Sequence, residues 1–117
     1  MAAPNIVNVA TITGKTAVMA VTTSPTAIVT NSAASGKVFK VNALYVSNVD
    51  GTSAADVTVD LFRSSVGYRI ASTISVPADA TLDIISKSIY LEEGDSLRLT
   101  ALVNSDLEAV CSYEEIS

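Results

Sequence analysis

The residues that most often carry chemistry in proteins are scarce in this chain of 117 residues, which has no histidine and one cysteine, Cys111. Without histidine, a serine–histidine–aspartate triad, a cysteine–histidine pair and a histidine-ligated metal site are all excluded. Cys111 has no second cysteine to pair with, so a disulfide-stapled scaffold is excluded as well. It alternates with Leu107, Ala109 and Tyr113 at a period of two residues, and we therefore predict that it is a small core residue.

Carboxylates are the remaining candidates for catalysis. Asp56 and Asp60 share one face of a predicted strand, where they stand roughly 13 Å apart at the rise of an extended chain. This separation is wider than the roughly 5–10 Å between the paired carboxyl groups of glycosidases. A solvated sheet face explains the two residues more simply. We therefore predict that the chain is not an enzyme and that it holds no cofactor.

A second group of carboxylates, Glu92, Glu93 and Asp95, surrounds Gly94 in a predicted turn. Calcium prefers turns that are rich in oxygen ligands. The spacing differs from that of an EF-hand loop, whose ligands occupy alternate positions. A calcium site is therefore an alternative to a solvated turn, and calorimetry with calcium would distinguish the two.

The net charge of −5 is distributed unevenly along the chain. No acidic residue precedes Asp50, whereas Lys15, Lys37 and Lys40 do; from Glu92 onward, seven acidic residues face a single base. This asymmetry can serve folding, a head-to-tail contact between subunits, or solubility alone. Because nucleic-acid binding needs a cationic stripe, we predict no nucleic-acid partner.

The hydrophobic pattern predicts β-structure throughout. The chain has 15 Val, 9 Ile and 12 Thr, residues whose branched side chains pack well on a pleated sheet. Ala55–Arg63 alternates apolar and polar residues, and Ser96–Val103 and Leu107–Tyr113 repeat that pattern, as in strands with one buried face. Lys37–Asn48 and Ile6–Ile12 are apolar on both faces, which indicates central strands or strands covered by a neighbouring subunit.

Turn-forming residues separate these strands every 8–12 residues or so. We place turns or strand ends at Thr13–Lys15, Ser24–Pro25, Asn31–Gly36, Asn48–Gly51, Ser64–Gly67, Val76–Asp79 and Asn104–Asp106, and a tight hairpin at Glu92–Asp95. The pattern predicts an all-β fold, an antiparallel β-sandwich that is jelly-roll-like, with eight to ten short strands. Residues 1–117 form a single domain, with an N-terminal arm at 1–5 and a C-terminal tail at 112–117.

The termini and one aromatic residue are the predicted contacts with a partner. Phe62 shares the polar face of its strand with Asp60, whereas most other aromatic residues fall on apolar faces and are expected in the core. Ile116 lies almost at the chain end, where we expect it to dock on its own domain or on a neighbour. The predicted contact residues are Pro4, Asn5, Ile6, Phe62, Tyr113, Glu114, Glu115 and Ile116. We find no signal peptide and no apolar run long enough for a membrane helix.

Several segments together resemble a family of small virion structural proteins of tailed phages, especially phages of marine cyanobacteria. They are Pro4–Val7, Ile12–Lys15, Ser47–Gly51, Ile89–Asp95 and Ser112–Ile116. The resemblance implies a non-enzymatic β-sandwich present in many copies on the particle, as a capsid decoration (cement) protein that binds the outer shell and stabilises the head.

The implied partners are the major capsid protein or other virion proteins, together with further copies of the chain, a trimer being favoured. The implied location is the virion, assembled in the host cytoplasm, with no membrane contact. Two alternatives remain open: a neck, tail or baseplate accessory or fibre module, and a glycan-binding module that contacts the host.

Overall fold

The computed structural model describes residues 9–117, and every regular element within them is a β-strand. The strands are β1 (Ile12–Ala20), β2 (Thr26–Thr30), β3 (Val38–Asn48), β4 (Ala55–Arg63), β5 (Val66–Val76), β6 (Thr81–Asp83), β7 (Ile89–Leu91), β8 (Ser96–Ala101) and β9 (Leu107–Ile116). The prediction of an all-β fold with eight to ten strands is confirmed. Between residues 9 and 117 there is no helix that could span a membrane.

The nine strands form two antiparallel sheets that pack face to face. In sheet A the order is β1-β9-β3-β6, and β7 pairs with β3 beside β6. In sheet B the order is β2-β8-β4-β5. The β4–β5 hairpin and the β6–β7 connection stay within one sheet, whereas every other connection crosses to the opposite sheet. The predicted antiparallel sandwich is therefore confirmed.

β4, β8 and β9 contribute alternating side chains to the core between the sheets, as predicted. Each of these strands turns its apolar positions inward, and the buried set includes Ala55, Val57, Val59, Leu97, Leu99, Leu107, Ala109 and Cys111. One predicted core position is wrong. Val103 lies beyond the end of β8 at Ala101 and is 52 % exposed.

A local irregularity of the backbone, which the sequence pattern did not reveal, explains why β3 carries apolar residues at both alternating sets of positions. The register of β3 against β9 shifts between Val41 and Ala43, as in a β-bulge that inserts one extra residue. Val41 faces the core before the shift, and Leu44 faces it after the shift; both are fully buried. The bulge changes which face is buried, so no second subunit is needed to cover β3.

Two of the predicted turns differ from the structure. Thr13–Lys15 lies inside β1, because β9 extends to Ile116 and provides a pairing partner for each residue of the segment. Gly94 does adopt the left-handed conformation, with a φ of 89°, in a turn after β7. This turn leads from sheet A to sheet B, however, so it is a crossover and not a hairpin.

The one tight hairpin between long strands joins β4 and β5. Ser64 and Ser65 form its two-residue turn with φ values of 52° and 63°, both in the left-handed region that hairpin turns require. Gly67, predicted as part of this turn, lies within β5. Serine at both turn positions explains why the sequence signalled this hairpin only weakly, since asparagine and glycine are the usual residues there.

Two buried asparagines tie loops to strands. The Asn31 side chain donates to the carbonyl oxygens of Lys37 and Leu91 at 2.9 and 3.0 Å. The Asn48 side chain donates to the carbonyl oxygens of Ser53 and Val76, both at 2.9 Å. These bonds satisfy backbone acceptors that the loops would otherwise leave without partners inside the protein.

Candidate interaction surfaces

A three-residue cluster on the outer face of sheet B contains Phe62. Arg98 donates two hydrogen bonds from Nε and Nη2 to the carboxylate of Asp60, at 2.9 and 3.0 Å. The guanidinium carbon of Arg98 lies 3.9 Å from the centroid of the Phe62 ring, as in a cation–π contact. The hydrogen bonds to Asp60 raise the pKa of Arg98, so the guanidinium stays charged. Phe62 is half-buried with Arg98 over its ring, and its role as a partner contact remains a prediction.

Gly67 of β5 makes room for this cluster. It stands opposite Phe62 in the β4–β5 ladder. A Cβ atom at Gly67 would lie 2.9 Å from Nη2 of Arg98 and 3.0 Å from Oδ2 of Asp60. The first distance is shorter than non-bonded contacts allow and the second lies at their lower limit, so a larger residue would displace the end of the Arg98 side chain or Asp60.

The acidic turn after β7 binds an arginine of the same chain. Arg63 donates to both carboxylate oxygens of Asp95, at 2.7 and 2.6 Å, and to Glu92 at 2.9 Å. The backbone N–H of Glu92 also donates to Asp95. The hydrogen bonds from Arg63 hold the pKa of Asp95 below its ordinary value, against the opposing effect of burial.

The contacts of this turn bear on the calcium alternative. The buried carboxylate of Asp95 is engaged by Arg63, and Glu93 accepts a hydrogen bond from the backbone N–H of Gly36. Within residues 9–117, no group of three histidine, cysteine, aspartate or glutamate side chains is arranged to hold a metal ion. The chemistry of the turn is therefore that of an internal ion pair.

Glu115 joins the two oppositely charged ends of the chain. Its two carboxylate oxygens lie 3.1 Å from Nζ of Lys15 and 3.1 Å from Nζ of Lys37. Partial burial acts to raise the pKa of Glu115, but the hydrogen bonds and charges of the two lysines outweigh it and lower the pKa. The charge asymmetry noted in the sequence therefore acts at least partly within one chain, where it fastens β1 and the start of β3 to β9.

The other predicted contact residues of the C-terminus occupy β9. Ile116 docks on its own domain and is 5 % exposed. The Tyr113 ring lies 5.6 Å from that of Phe39, against the core. Glu114 pairs with Lys40 across the ladder. Pro4, Asn5 and Ile6 lie outside the described residues. None of these positions is tested as a partner contact, and each remains a prediction.

Three of the four tyrosines are exposed, which corrects the expectation that most aromatic residues lie in the core. Tyr45, Tyr68 and Tyr90 are 43 %, 57 % and 42 % exposed. Tyr45 and Tyr90 belong to sheet A, whereas Tyr68 belongs to β5 of sheet B.

Among the strands of residues 9–117, β1 pairs on one side only, with β9, so its backbone forms an edge of sheet A. Thr11 and Ser117 exchange both backbone hydrogen bonds at 2.9 Å, which makes them a hydrogen-bonded pair of the β1–β9 ladder. Such pairs alternate with non-bonded pairs, and the register runs from Ile12 to Ala20 without a shift. The residues whose backbone N–H and C=O groups point away from β9 are therefore Ile12, Gly14, Thr16, Val18 and Ala20, and we call them the free-edge residues.

The side chains on this edge are small or apolar. Lys15 is the one charged residue of β1, and it is bonded to Glu115. Val18 is 74 % exposed. It stands beside Val110 of β9, which stands beside Tyr45 of β3, so an apolar row crosses the outer face of sheet A.

β5 forms the corresponding edge of sheet B, and it is irregular. Its register against β4 shifts twice, between Val57 and Val59 and between Val59 and Asp60. Thr73 lies in the first shifted stretch with a φ of 48°, an unusual conformation for a β-branched residue. Its backbone N–H donates to the Thr58 hydroxyl at 3.0 Å. Irregularities of this kind impede the addition of a further strand.

Cys111 is fully buried, as predicted. Burial raises the pKa of its thiol to about 11, because the interior disfavours the charged thiolate. The protonated, inaccessible thiol is a packing residue of β9.

Comparison with known proteins gives a similarity of fold. No protein-family model and no curated protein matches the sequence. Among solved structures, the chain is similar to a protein of Bacillus endospore appendages, described as a novel family of disulfide-linked pili. The TM-score is 0.54 at 14 % sequence identity, over 92 % of this chain and 88 % of the other. At this identity the similarity shows the fold alone.

Proposed function

We propose that this chain is a non-enzymatic structural protein that assembles with further copies of itself and with other proteins of a larger particle. The observation that carries the proposal is the β1 edge. Among residues 9–117, no strand pairs with the backbone groups that five alternate residues of β1 direct away from β9, and an exposed apolar row lies beside them. An edge of this kind is a template for pairing with another chain.

The use of the ionisable groups supports a structural role. Asp60, Asp95 and Glu115, three acidic residues with low exposure, each bind an arginine or lysine of the same chain. Among residues 9–117, every buried side-chain nitrogen or oxygen has a hydrogen-bond partner. These groups hold loops and strands together, and none of them is free for acid–base work.

The finer proposal places the chain on a virion as a capsid decoration protein. Its support is the resemblance to small virion proteins together with the all-β fold. In this role a homo-oligomer, for which the resemblance favours a trimer, binds the major capsid protein and stabilises the head. Apolar burial at about 25 cal/mol per Å² would stabilise each contact, and symmetric repetition would multiply the effect.

A fibre or appendage module is the second candidate. The observation that favours it is the fold shared with a pilus protein over nearly the whole of both chains. The pili named in that comparison are disulfide-linked. The only cysteine here, Cys111, is fully buried. An appendage built from this chain would therefore depend on non-covalent contacts.

Particles with and without the protein test the proposal. Decoration predicts that particles lacking the chain lose their contents at lower temperature or lower ionic strength than complete particles. Hundreds of copies per particle support decoration of the shell, whereas six to twelve copies support a tail or fibre role. Particles without the protein that match complete ones in heat and in low salt would contradict the stabilising role.

A further inference from the structure

We propose that β1 pairs with β1 of a second copy, antiparallel and about a two-fold axis at Thr16, so that sheet A continues across the contact. The proposal rests on the self-assembly in the proposed function and names a surface for it, and it gives a dimer where the resemblance favours a trimer. Its first support is that the β1 edge, between Ile12 and Ala20, contains no register shift and no proline. Protein edges that remain unpaired usually carry such interruptions or charges.

The spacing of the free-edge residues defines the register. In an antiparallel pair, free groups must meet free groups, so even-numbered residues must face even-numbered residues. With Thr16 on the axis, Ile12 faces Ala20 of the partner subunit and Gly14 faces Val18 of the partner subunit. Every free-edge residue then exchanges two backbone hydrogen bonds. A shift to the neighbouring permitted register leaves one free-edge residue of each copy without a partner.

The side chains complement one another in this register. A Cβ atom added to Gly14 would meet nothing within 4 Å in one copy, so the edge has a gap at that position. Val18, at 74 % exposure, is the most exposed large apolar side chain of the described residues. Pairing about Thr16 places Val18 of the partner subunit beside the bare backbone of Gly14, on the outer face of sheet A. The valine side chain would then cover backbone that the glycine leaves exposed, as aromatic neighbours do at other edge glycines.

The charges of β1 permit the contact. Lys15 points to the opposite face from the free-edge residues, where Glu115 holds it at 3.1 Å. In the proposed register it faces Ala17 of the partner subunit and not a second lysine. Like charges directly opposite one another destabilise a sheet, and this register avoids them.

A charge swap at Thr16 tests the register directly. In a two-fold contact, Thr16→Lys sets two positive charges against each other, and Thr16→Asp sets two negative ones. We expect each variant to weaken the dimer by about ten-fold, because like charges directly opposite one another destabilise a sheet and the packing of threonine is lost. An equal mixture of the two variants is expected to recover the dimer, because lysine then faces aspartate.

Sedimentation equilibrium over a concentration series measures the mass. The unmodified chain should approach twice 12.1 kDa at high concentration. The matched controls are Thr30→Lys and Thr30→Asp in β2, the edge strand on the other side of sheet B, which should leave the dimer intact. Circular dichroism establishes that all four variants retain the strand content of the unmodified chain.

Four results would overturn the inference: a monomer at every concentration, a trimer, Thr16 variants that associate normally, or a mixture that stays monomeric. A monomer would also direct attention to other occupants of the edge, such as residues 1–8 of the same chain or a different protein. A trimer would remove the two-fold contact and leave the proposed function standing. The particle experiments test that function separately.

Discussion

The two long edge strands of the sandwich, β1 and β5, differ in the regularity of their backbones. β5 runs beside β4 with two register shifts, a strained Thr73 and a glycine fitted to the Asp60–Arg98 pair. β1 runs beside β9 in unbroken register, and its glycine has no neighbour that requires it.

The difference indicates which edge is available for assembly. Irregular edges resist the addition of a strand, whereas regular, uncharged edges accept it. The contacts of β5 are made within the chain, so changes there should alter the stability of the fold. Changes at the free-edge residues of β1 should alter association and leave the fold nearly unchanged.

The largest expected effect concerns the ion pair beside the β5 hairpin. Asp95→Ala removes a buried carboxylate and leaves Arg63 without its main partner. We expect the free energy of unfolding in urea to fall by about 2 kcal/mol, a moderate value because Arg63 is partly solvated. Glu92→Ala at the same arginine is the control. The Glu92 side chain is 67 % exposed, so the loss should stay within about 0.5 kcal/mol. Equal losses would contradict this description of the turn.

The same pair predicts a dependence on pH. Because the pKa of Asp95 is lowered in the folded state, its contribution is fully present above the ordinary carboxyl pKa of about 4. That contribution is lost as the pH falls through the folded-state pKa. The unmodified chain should therefore lose stability more steeply below pH 4 than Asp95→Ala does, as measured by urea unfolding at a series of pH values. Parallel curves would be inconsistent with an ionised Asp95 in the pair.

Two glycine-to-alanine variants, one in β5 and one in β1, compare the two edge strands by adding a single methyl group to each. Gly67→Ala brings a methyl group within 2.9 Å of Arg98, and displacement of that flexible side chain should cost about 1 kcal/mol. Gly14→Ala meets nothing within 4 Å and should be neutral, or stabilising by about 0.5 kcal/mol through its lower backbone entropy in the unfolded state. Urea unfolding at a concentration where the chain is monomeric gives both values. A destabilised Gly14→Ala monomer would show that the β1 edge is more constrained than the structure indicates.

Threonine-to-glycine variants test whether the β5 irregularity is strained. Thr73 has a φ of 48°, which glycine adopts without steric cost, so Thr73→Gly should stabilise the monomer by up to about 1 kcal/mol. Thr16→Gly, at a regular β1 position, should destabilise it by about 0.5 kcal/mol. Thermal unfolding resolves the opposite signs. A loss at both positions would mean that Thr73 is held without strain.

The smallest effect on stability is expected at the ion pairs of Glu115. Glu115→Gln removes the ion pairs with Lys15 and Lys37, whose side chains are 47 % and 42 % exposed. Solvent screens such pairs, so we expect a loss of about 0.5 kcal/mol that shrinks further in high salt. Unfolding with and without added salt measures it. A loss of unfolding free energy that does not depend on salt would show that Glu115 stabilises the position of β1 through packing and not through charge.

The sequence predicted the fold where period-two alternation persists through a whole strand, as in β4, β8 and β9. The prediction failed where one extra residue shifts the alternation of buried and exposed positions. Because of the bulge after Val41, the sequence of β3 is apolar on both faces. Gly14 led to the prediction of a turn at a position that lies in the middle of β1. Long-range pairing with β9 overrides the local preference of glycine, and no local pattern contains that information.

The interaction surfaces were predicted less completely. The pattern placed Phe62 on a polar face, but it could not show that Arg98 covers the ring, because the two residues are 36 positions apart in the sequence. The apolar side chain of Val18 was visible in the sequence, yet its exposure depends on which strand lies at the edge of sheet A. Edge positions are set by topology, which a single sequence specifies poorly.

Hydrogen exchange at the amides of β1 tests the central claim most directly. The odd-numbered amides from Thr13 to Met19 bond to β9 and should be protected at every protein concentration. The free-edge amides, from Ile12 to Ala20, should be protected only in a concentrated sample and should exchange rapidly after dilution. Rapid exchange of the free-edge amides in a sample whose mass is already dimeric would contradict the account, because the two copies would then meet through another surface.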